Sequence, residues 1–160
     1  MSTPQEDLMM YACVRGNLER AKQILAESKV NGQDVNVQRS LRMACSSGQL
    51  EIVKWLTTEG KADVYAKDEK ASTLLHAACF HEQPQMAQWL VLECGMYPGQ
   101  PNKFGETPLH FACYSESLDL VKWLVVDCKA DPDLRTRGGI SSRDLANRDT
   151  TEWLSVNCKK

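Results

Sequence analysis

Residues 107–126 read TPLHFACYSESLDLVKWLVV, and this stretch contains the signals for two short helices separated by a polar break. Thr107 is a favoured residue type immediately before a helix, and Pro108 suits the first helical turn. Leu109, Ala112 and Cys113 follow at helical spacing. A second amphipathic segment begins at residue 118, and turn-rich sequence follows it. The stretch therefore predicts a helix, a turn, a second helix and an extended loop.

The rest of the chain repeats this stretch. Residues 40–56 read SLRMACSSGQLEIVKWL, residues 73–90 read TLLHAACFHEQPQMAQWL, a first copy at 8–25 reads LMMYACVRGNLERAKQIL, and a shortened last copy at 141–154 reads SSRDLANRDTTEWL. Trp55, Trp89 and Trp123 lie 34 residues apart, and cysteines keep the same interval. One such unit cannot bury its apolar face alone, so the fixed period predicts an array of stacked repeats.

The segment Thr107-Pro108-Leu109-His110-Phe111-Ala112 resembles the T-P-L-H-x-A signature of the ankyrin repeat, and residues 73–78 are a near copy. The resemblance implies an all-α fold, an ankyrin-repeat solenoid of about five helix-turn-helix repeats joined by β-hairpin-like loops. It forms one domain over residues 1–160. The expected repeats are approximately 7–38, 39–70, 71–104, 105–138 and 139–160, with the first and last acting as atypical caps.

Three departures from the family pattern carry further expectations. The period is 34 rather than 33, and the short segment before Ala44 predicts a truncated first hairpin. The glycines between the helices of the first two repeats are replaced by Glu82 and Glu116 in the next two. Because non-glycine residues avoid positive φ, we expect this turn to be rebuilt, with Pro84 starting the second helix of its repeat.

Composition and charge exclude several function classes. The net charge is -2, whereas a domain that binds nucleic acid through phosphate contacts is normally basic. No apolar run approaches the roughly 18 residues that a membrane helix needs. The N-terminal residues lack a basic region followed by an apolar stretch, so no signal peptide is predicted. We therefore expect an intracellular protein, cytoplasmic, nuclear or both, that binds neither nucleic acid nor membrane.

The residues that could carry chemistry favour structural roles. No two of the seven cysteines are close enough in sequence for a metal-binding knuckle. The Ala-Cys pairs predict a buried column of small residues, while Cys94, Cys128 and Cys158 lie near helix ends and leave a redox role open. His76 and His110 occupy the signature position where the family uses histidine to bond neighbouring loops. We therefore predict no catalytic residue, no metal, no cofactor and no small-molecule substrate.

The resemblance implies that a partner protein binds the concave face and the hairpins. Phe80, Phe104 and Tyr114 are large aromatics at positions that the fold does not need to fill, and aromatics are enriched at interface centres. Lys70, Lys103 and Arg137 recur along the hairpins and suggest a mildly acidic partner surface. The predicted contact residues are Phe80, His81, Tyr114, Ser115, Phe104, Lys103, Glu106, Glu69, Lys70, Ser72, Arg137 and Arg148; the same offsets also select Ile140.

The sequence thus predicts a non-catalytic protein-interaction module that is expected to be monomeric and whose partner protein it does not identify. One alternative is an inhibitor or assembly chaperone that masks an enzyme, such as a kinase or a multi-subunit complex. Another is a redox-sensing array. A stripe of the four tryptophans is a rival contact surface, although packing between repeats explains them better. By resemblance, Asn36 is a candidate for asparaginyl hydroxylation.

Overall fold

The computed structural model describes residues 3–32 and 35–158, and this part of the chain is all-helical. Its ten helices are α1 Pro4–Val14, α2 Leu18–Val30, α3 Val37–Ser46, α4 Leu50–Thr58, α5 Leu74–Phe80, α6 Pro84–Leu92, α7 Pro108–Tyr114, α8 Leu118–Val126, α9 Ser142–Leu145 and α10 Arg148–Asn157. Within the same residues, β-type pairing is limited to an isolated antiparallel bridge between Arg135 and Ser141. The helices follow one another as five pairs, as the repeated sequence predicts.

The chain divides into two compact units, Met1–Ala66 and Lys67–Lys160. In the first unit α1 packs against α2 and α3, and α3 packs against α4. In the second unit α5 packs against α6 and α7, and α7 packs against α8 and α9. The last pair is short, because only Ala146 and Asn147 separate α9 from α10. The first helices α1, α3, α5 and α7 therefore pack against their partner helices, and α1, α5 and α7 also pack against the first helix of the next pair, whereas α10 packs against α8.

The Ala-Cys pairs form the centre of each unit's core. Cys13 and Cys45 are fully buried in the first unit, as are Cys79 and Cys113 in the second. Each follows an alanine that is at most 3% exposed. Small side chains at these positions let neighbouring first helices approach closely, and larger residues such as Leu41, Leu75 and Leu109 fill the space around them. The predicted column of buried small residues is confirmed.

The first helices begin at the residues that the signature predicts. Thr73 and Thr107 hold the position before α5 and α7 in extended conformation, and Pro108 is in the first turn of α7. Pro84 likewise begins α6, as expected from the sequence.

The expectation that the inter-helix turn is rebuilt at Glu82 and Glu116 is wrong. These residues adopt φ values of 54° and 62°, the same left-handed conformation as Gly16 and Gly48. The backbone bonds explain why: Gln83 N–H donates to the Ala78 carbonyl over 2.9 Å, just as Gln49 N–H donates to Ala44. The helix ending is conserved between repeats, so glutamate accepts the strained conformation.

The loops between pairs, which we call fingers, differ in length. Residues 59–73, 93–107 and 127–141 form long fingers, whereas only residues 31–36 join α2 to α3. The first finger is therefore truncated, as its sequence predicts, and residues 33 and 34 lie outside the described part. The exact repeat boundaries stay predictions.

None of the helices in residues 3–32 and 35–158 has the length and hydrophobicity to cross a membrane.

Candidate protein-binding groove

A surface groove of about 320 Å³ lies in the second unit, against α5, α7, α9 and the last two fingers. We call it the aromatic groove. It is lined by Phe80, Glu106, His110, Phe111, Tyr114, Thr136, Ile140 and Leu145. Its size lies at the lower end of the range of ligand pockets in proteins, which suits one or two side chains of a larger partner.

Three aromatic rings form the apolar wall of the groove. Phe80 of α5 and Tyr114 of α7 are stacked, with 5.8 Å between ring centroids and 14° between ring planes. Phe111 meets Phe80 nearly edge-on at 6.0 Å. Phe80 is 39% exposed and Tyr114 64% exposed, so this stack lies at the surface and not in the core. An exposed stack of large aromatics is the kind of surface that protein interfaces bury.

His110 fixes the wall of the groove to the last long finger. Thr107 N–H donates to His110 Nδ1 over 3.1 Å, and His110 Nε2 lies 3.3 Å from the Ile140 carbonyl oxygen. A carbonyl oxygen can only accept, so Nε2 carries the proton and the ring is the neutral Nε2–H tautomer. Burial lowers the pKa of His110, which keeps the ring neutral at neutral pH. The imidazole is therefore a structural donor that holds α7 against the finger.

His76 makes the same connection one repeat earlier. Its Nδ1 accepts from Thr73 N–H over 3.0 Å, and its Nε2 lies 3.2 Å from the Glu106 carbonyl oxygen. Burial lowers the pKa of His76 to about 4. The structural role that the signature assigns to both histidines agrees with this geometry.

Backbone bonds place the tips of neighbouring fingers side by side. Lys103 N–H donates to the Lys70 carbonyl over 2.9 Å, and Arg137 N–H donates to the Phe104 carbonyl over 2.8 Å. Within its finger, the Asn102 side chain accepts from Phe104 N–H and Glu106 N–H. The three cationic residues predicted to face a partner therefore occur at successive fingertips of the second unit.

Other predicted contact residues lie around the groove or along the fingertips. His81 is exposed and its ring meets Phe80 edge-on at 5.0 Å. Ser115 is half-buried, and its hydroxyl donates to the Cys79 carbonyl over 3.0 Å, which ties α7 to α5. Exposed positions at the fingertips are occupied by Glu69, Lys70, Lys103, Phe104 and Arg137. Arg148 is exposed at the start of α10.

Ser72 does not belong to the contact surface. It is only 7% exposed, and its hydroxyl oxygen accepts from Asn102 Nδ2 over 3.3 Å. Its burial between neighbouring fingers counts against the predicted contact of Ser72 with a partner.

Phe111, Thr136 and Leu145 line the groove but are absent from the predicted contact residues. Phe111 occupies the variable position of the T-P-L-H-x-A signature, one residue before the buried alanine. Tyr11 and Met43 hold the same position in the first two copies and both are exposed, whereas the third copy has Ala77. A large apolar residue repeated at a position outside the core is a signal that would have added Phe111.

Asn36 begins α3 as its N-terminal cap. Its Oδ1 accepts from Arg39 N–H over 3.0 Å, and the residue is exposed. Asp34, the first residue of the Asp-Val-Asn motif, lies outside the described residues. Hydroxylation of Asn36 stays a prediction.

Five of the seven thiols have raised pKa values, which makes them poor nucleophiles. Burial raises the pKa of Cys13 to about 11 and that of Cys45 and Cys113 to about 12. The pKa values of half-buried Cys94 and Cys128 are also raised, first by burial and then by the neighbouring carboxylates Glu93 and Asp127. Reactive cysteines need lowered pKa values, so these five thiols speak against a redox-sensing array.

The described residues contain no group of three or more His, Cys, Asp or Glu side chains arranged to hold a metal ion.

The repeat architecture matches a known family. A family model described as ankyrin repeats in three copies matches residues 3–68 and 41–136. The chain belongs to the ankyrin-repeat family. A comparison with curated proteins gives no significant match. Ankyrin repeats generally mediate protein–protein interaction, and ankyrin-repeat proteins are typically non-catalytic.

Proposed function

We propose that this protein is a non-catalytic interaction module whose second unit binds a partner protein through the aromatic groove and the neighbouring fingertips. The observation that carries the proposal is the exposed stack of Phe80 and Tyr114 beside a concave surface. Helix α7 is already fixed by the Ser115 and His110 bonds, so these rings are not needed to close the core. Burying them against a partner would supply apolar free energy that the isolated chain leaves unused.

The groove is preorganised, which supports its use in binding. Phe80 and Phe111 restrict each other's motion, Ser115 ties α7 to α5, and His110 ties α7 to the last long finger. Each contact is made before any partner arrives. A partner would therefore bind without the full entropic cost of ordering this wall.

Positive charges at the fingertips would add electrostatic selectivity to the binding of a partner. Lys70, Lys103 and Arg137 lie at neighbouring exposed tips, so an acidic stretch of the partner would complement them. Exposed charges act over a Debye length of roughly 8 Å at physiological salt. We expect the association rate to fall as ionic strength rises, while the apolar contacts between the partner and the aromatic wall persist.

Affinity capture from the source cell tests the proposal. The wild type is compared with Phe80→Ala/Tyr114→Ala, and with a matched control, Leu92→Ala/Val126→Ala. Leu92 and Val126 are 72% and 50% exposed and come from α6 and α8, outside the lining of the groove. We expect a partner that the wild type and the control retain and the groove variant loses, with all three proteins equally folded by circular dichroism. Equal capture by all three would reject the groove, and loss only with the control would assign binding to the second helices.

The alternative as an inhibitor or assembly chaperone is a special case of the same proposal. If the captured partner is an enzyme, its activity with and without this chain decides whether binding masks it.

We also propose that the chain is monomeric. Sedimentation equilibrium at micromolar concentration tests that proposal, and a mass of twice 18.0 kDa would contradict it.

A further inference from the structure

The aromatic groove has an unusual combination of lining groups. Its wall consists of three aromatic rings, Glu106 lies at its edge, and the described residues that line it include neither lysine nor arginine. The face of an aromatic ring carries partial negative charge, and Glu106 adds a full negative charge. The lining therefore favours a positively charged occupant with a flat or apolar body, although the nearby fingertips are basic.

The lysine and arginine side chains closest in sequence to the groove residues bond to other groups or lie outside the groove lining. Arg135 donates to the Gly139 carbonyl and pairs with Asp144, and Lys103 Nζ donates to the Glu69 carbonyl over 2.6 Å. Arg137 is exposed but does not line the groove. His110 is held neutral by burial. In the part of the chain that the structure describes, no lysine or arginine lines the rings, and the His81 imidazole lies against Phe80 at the surface.

The first repeat provides an internal precedent. Tyr11-Ala12-Cys13 aligns with Phe111-Ala112-Cys113, so Tyr11 is the counterpart of Phe111. In α1 the guanidinium of Arg15 lies over the Tyr11 ring, 5.3 Å from its centroid. The residue at the Arg15 position in the fourth repeat is Ser115, which bonds to α5 instead. The guanidinium that covers the aromatic ring in the first repeat has no counterpart in the fourth.

We propose that the aromatic groove takes an arginine side chain of the partner protein, with its guanidinium against the rings and donating to the Glu106 carboxylate. This inference rests on the proposed function and names the anchor that the partner supplies. Oε2 of Glu106 already accepts from Asn102 Nδ2 over 2.7 Å, and the carboxylate retains further lone pairs for a guanidinium. Arginine fits better than lysine because guanidinium is planar, stacks on aromatic faces and is more weakly hydrated than ammonium.

A titration of the ¹⁵N-labelled full chain by nuclear magnetic resonance tests the anchor directly. The probe is N-acetyl-arginine methylamide, and the comparison is N-acetyl-citrulline methylamide, which has nearly the same shape without the charge. We expect arginine to perturb the backbone amides of Phe111, Tyr114 and Ile140, with an affinity at least about three times that of citrulline. Equal affinities, perturbation only outside the groove, or no perturbation by the arginine probe would each overturn the proposal.

Two variants separate charge from shape. Glu106→Gln keeps an oxygen acceptor for Asn102 and removes the charge, so we expect the preference for arginine over citrulline to fall by about half or more. Phe111→Leu keeps an apolar side chain and removes a ring, and should weaken both probes. Glu93→Gln removes an exposed carboxylate outside the groove lining and should change neither affinity. An unchanged preference in Glu106→Gln would contradict the role of that carboxylate.

Selection from a displayed random-peptide library separates this inference from the proposed function. Peptides are selected on the wild type and counter-screened on Phe80→Ala/Tyr114→Ala. Groove-dependent peptides that share an arginine, and lose binding when it becomes citrulline, support both proposals. Groove-dependent peptides without a required arginine would overturn the anchor and keep the interaction groove. Peptides that bind both proteins equally would count against the groove itself.

Discussion

Glu82 and Glu116 show how strongly a repeat dictates the conformation of single residues. Each takes the left-handed backbone that glycine holds in the first two repeats. For a residue with a Cβ this conformation costs on the order of 1 kcal/mol. The helix-ending bonds to Ala78 and Ala112 are kept nonetheless. Packing of the whole repeat therefore outweighs local preference at these two positions.

Replacing Glu82 with glycine tests this strain. We expect Glu82→Gly to raise the free energy of unfolding by about 0.5 kcal/mol, since relief of strain exceeds the added freedom of the unfolded chain. Gly48→Ala is the reciprocal variant at φ 71° and should lower it by about 1 kcal/mol. Urea unfolding followed by circular dichroism measures both. A loss of stability in Glu82→Gly would show that the glutamate side chain contributes more than its backbone costs.

The buried histidines give the fold a pH dependence that can be predicted in sign. The pKa of His76 is lowered to about 4 in the folded state, from an ordinary value near 6.5. Between these values the unfolded chain binds more protons, so stability is present above pH 6.5 and is lost as pH falls toward 4. We expect a loss of about 2 kcal/mol between pH 7 and pH 5 from His76.

Ring chemical shifts of His76 followed against pH measure its titration directly. A titration midpoint near 6.5 would show that the ring is not held neutral by burial. His76→Asn supplies the matched control, because its stability should depend less steeply on pH over the same range.

At the scale of elements, the fingers rely on a few side chains that replace missing strand pairing. Asn102 is buried, and its Oδ1 accepts from the N–H groups of Phe104 and Glu106 over 2.9 and 3.1 Å. Its Nδ2 donates to Ser72 Oγ and to Glu106 Oε2. Asp68 has the equivalent place 34 residues earlier and accepts from Lys70 N–H and Ser72 N–H. These acidic or amide side chains set the shape of each tip.

Removing this support should loosen a finger. We expect Asn102→Ala to cost about 2 kcal/mol, because it leaves buried donors and acceptors unpaired. It should also speed hydrogen exchange at the amides of Phe104 and Glu106. Asp68→Asn keeps an oxygen acceptor and should cost less than half as much. Unchanged exchange at both amides in Asn102→Ala would show that the backbone alone holds the tip.

Element boundaries followed from the sequence where a residue's local chemistry decides them. Thr107 and Pro108 could be assigned because capping depends on side-chain type and a fixed φ. Ser72 and Phe111 could not be assigned correctly, because their exposure depends on how neighbouring fingers and first helices meet. Phe80 and Tyr114 were selected as surface residues, but their stacking required the relative placement of α5 and α7. Local signals thus give the elements, and the site arises from contacts about 34 residues apart.

On the scale of the whole molecule, the seven cysteines are spread along the chain and differ in how deeply they are buried. Four of them are the buried cysteines of the Ala-Cys pairs, and Cys94, Cys128 and Cys158 are half-buried near the ends of second helices. The raised pKa values of Cys94 and Cys128 reduce their thiolate fraction at neutral pH.

Iodoacetamide labelling of the native chain at pH 7.5, read by peptide mass spectrometry, tests this distribution. We expect Cys13, Cys45, Cys79 and Cys113 to stay unmodified until the chain unfolds. Cys94 and Cys128 should react several-fold more slowly than the same cysteines in urea. Rapid native labelling of Cys94 or Cys128 would revive a redox role for those thiols.

The hydrogen bonds of His76 and His110 both run in the same direction along the chain, from an earlier side chain to a later backbone carbonyl. In each case the buried N–H belongs to the earlier repeat and the carbonyl to the finger about 30 residues later, from His76 to Glu106 and from His110 to Ile140. A carbonyl that loses this donor can be hydrated at once, whereas a buried N–H that loses its acceptor stays poorly satisfied until water reaches it. Removing the residues from Ile140 onward would therefore lower the free energy of unfolding of the remaining chain by more than the lost packing contacts alone. The segment from Ile140 onward therefore supports the preceding helix pair through a carbonyl that this pair cannot supply itself.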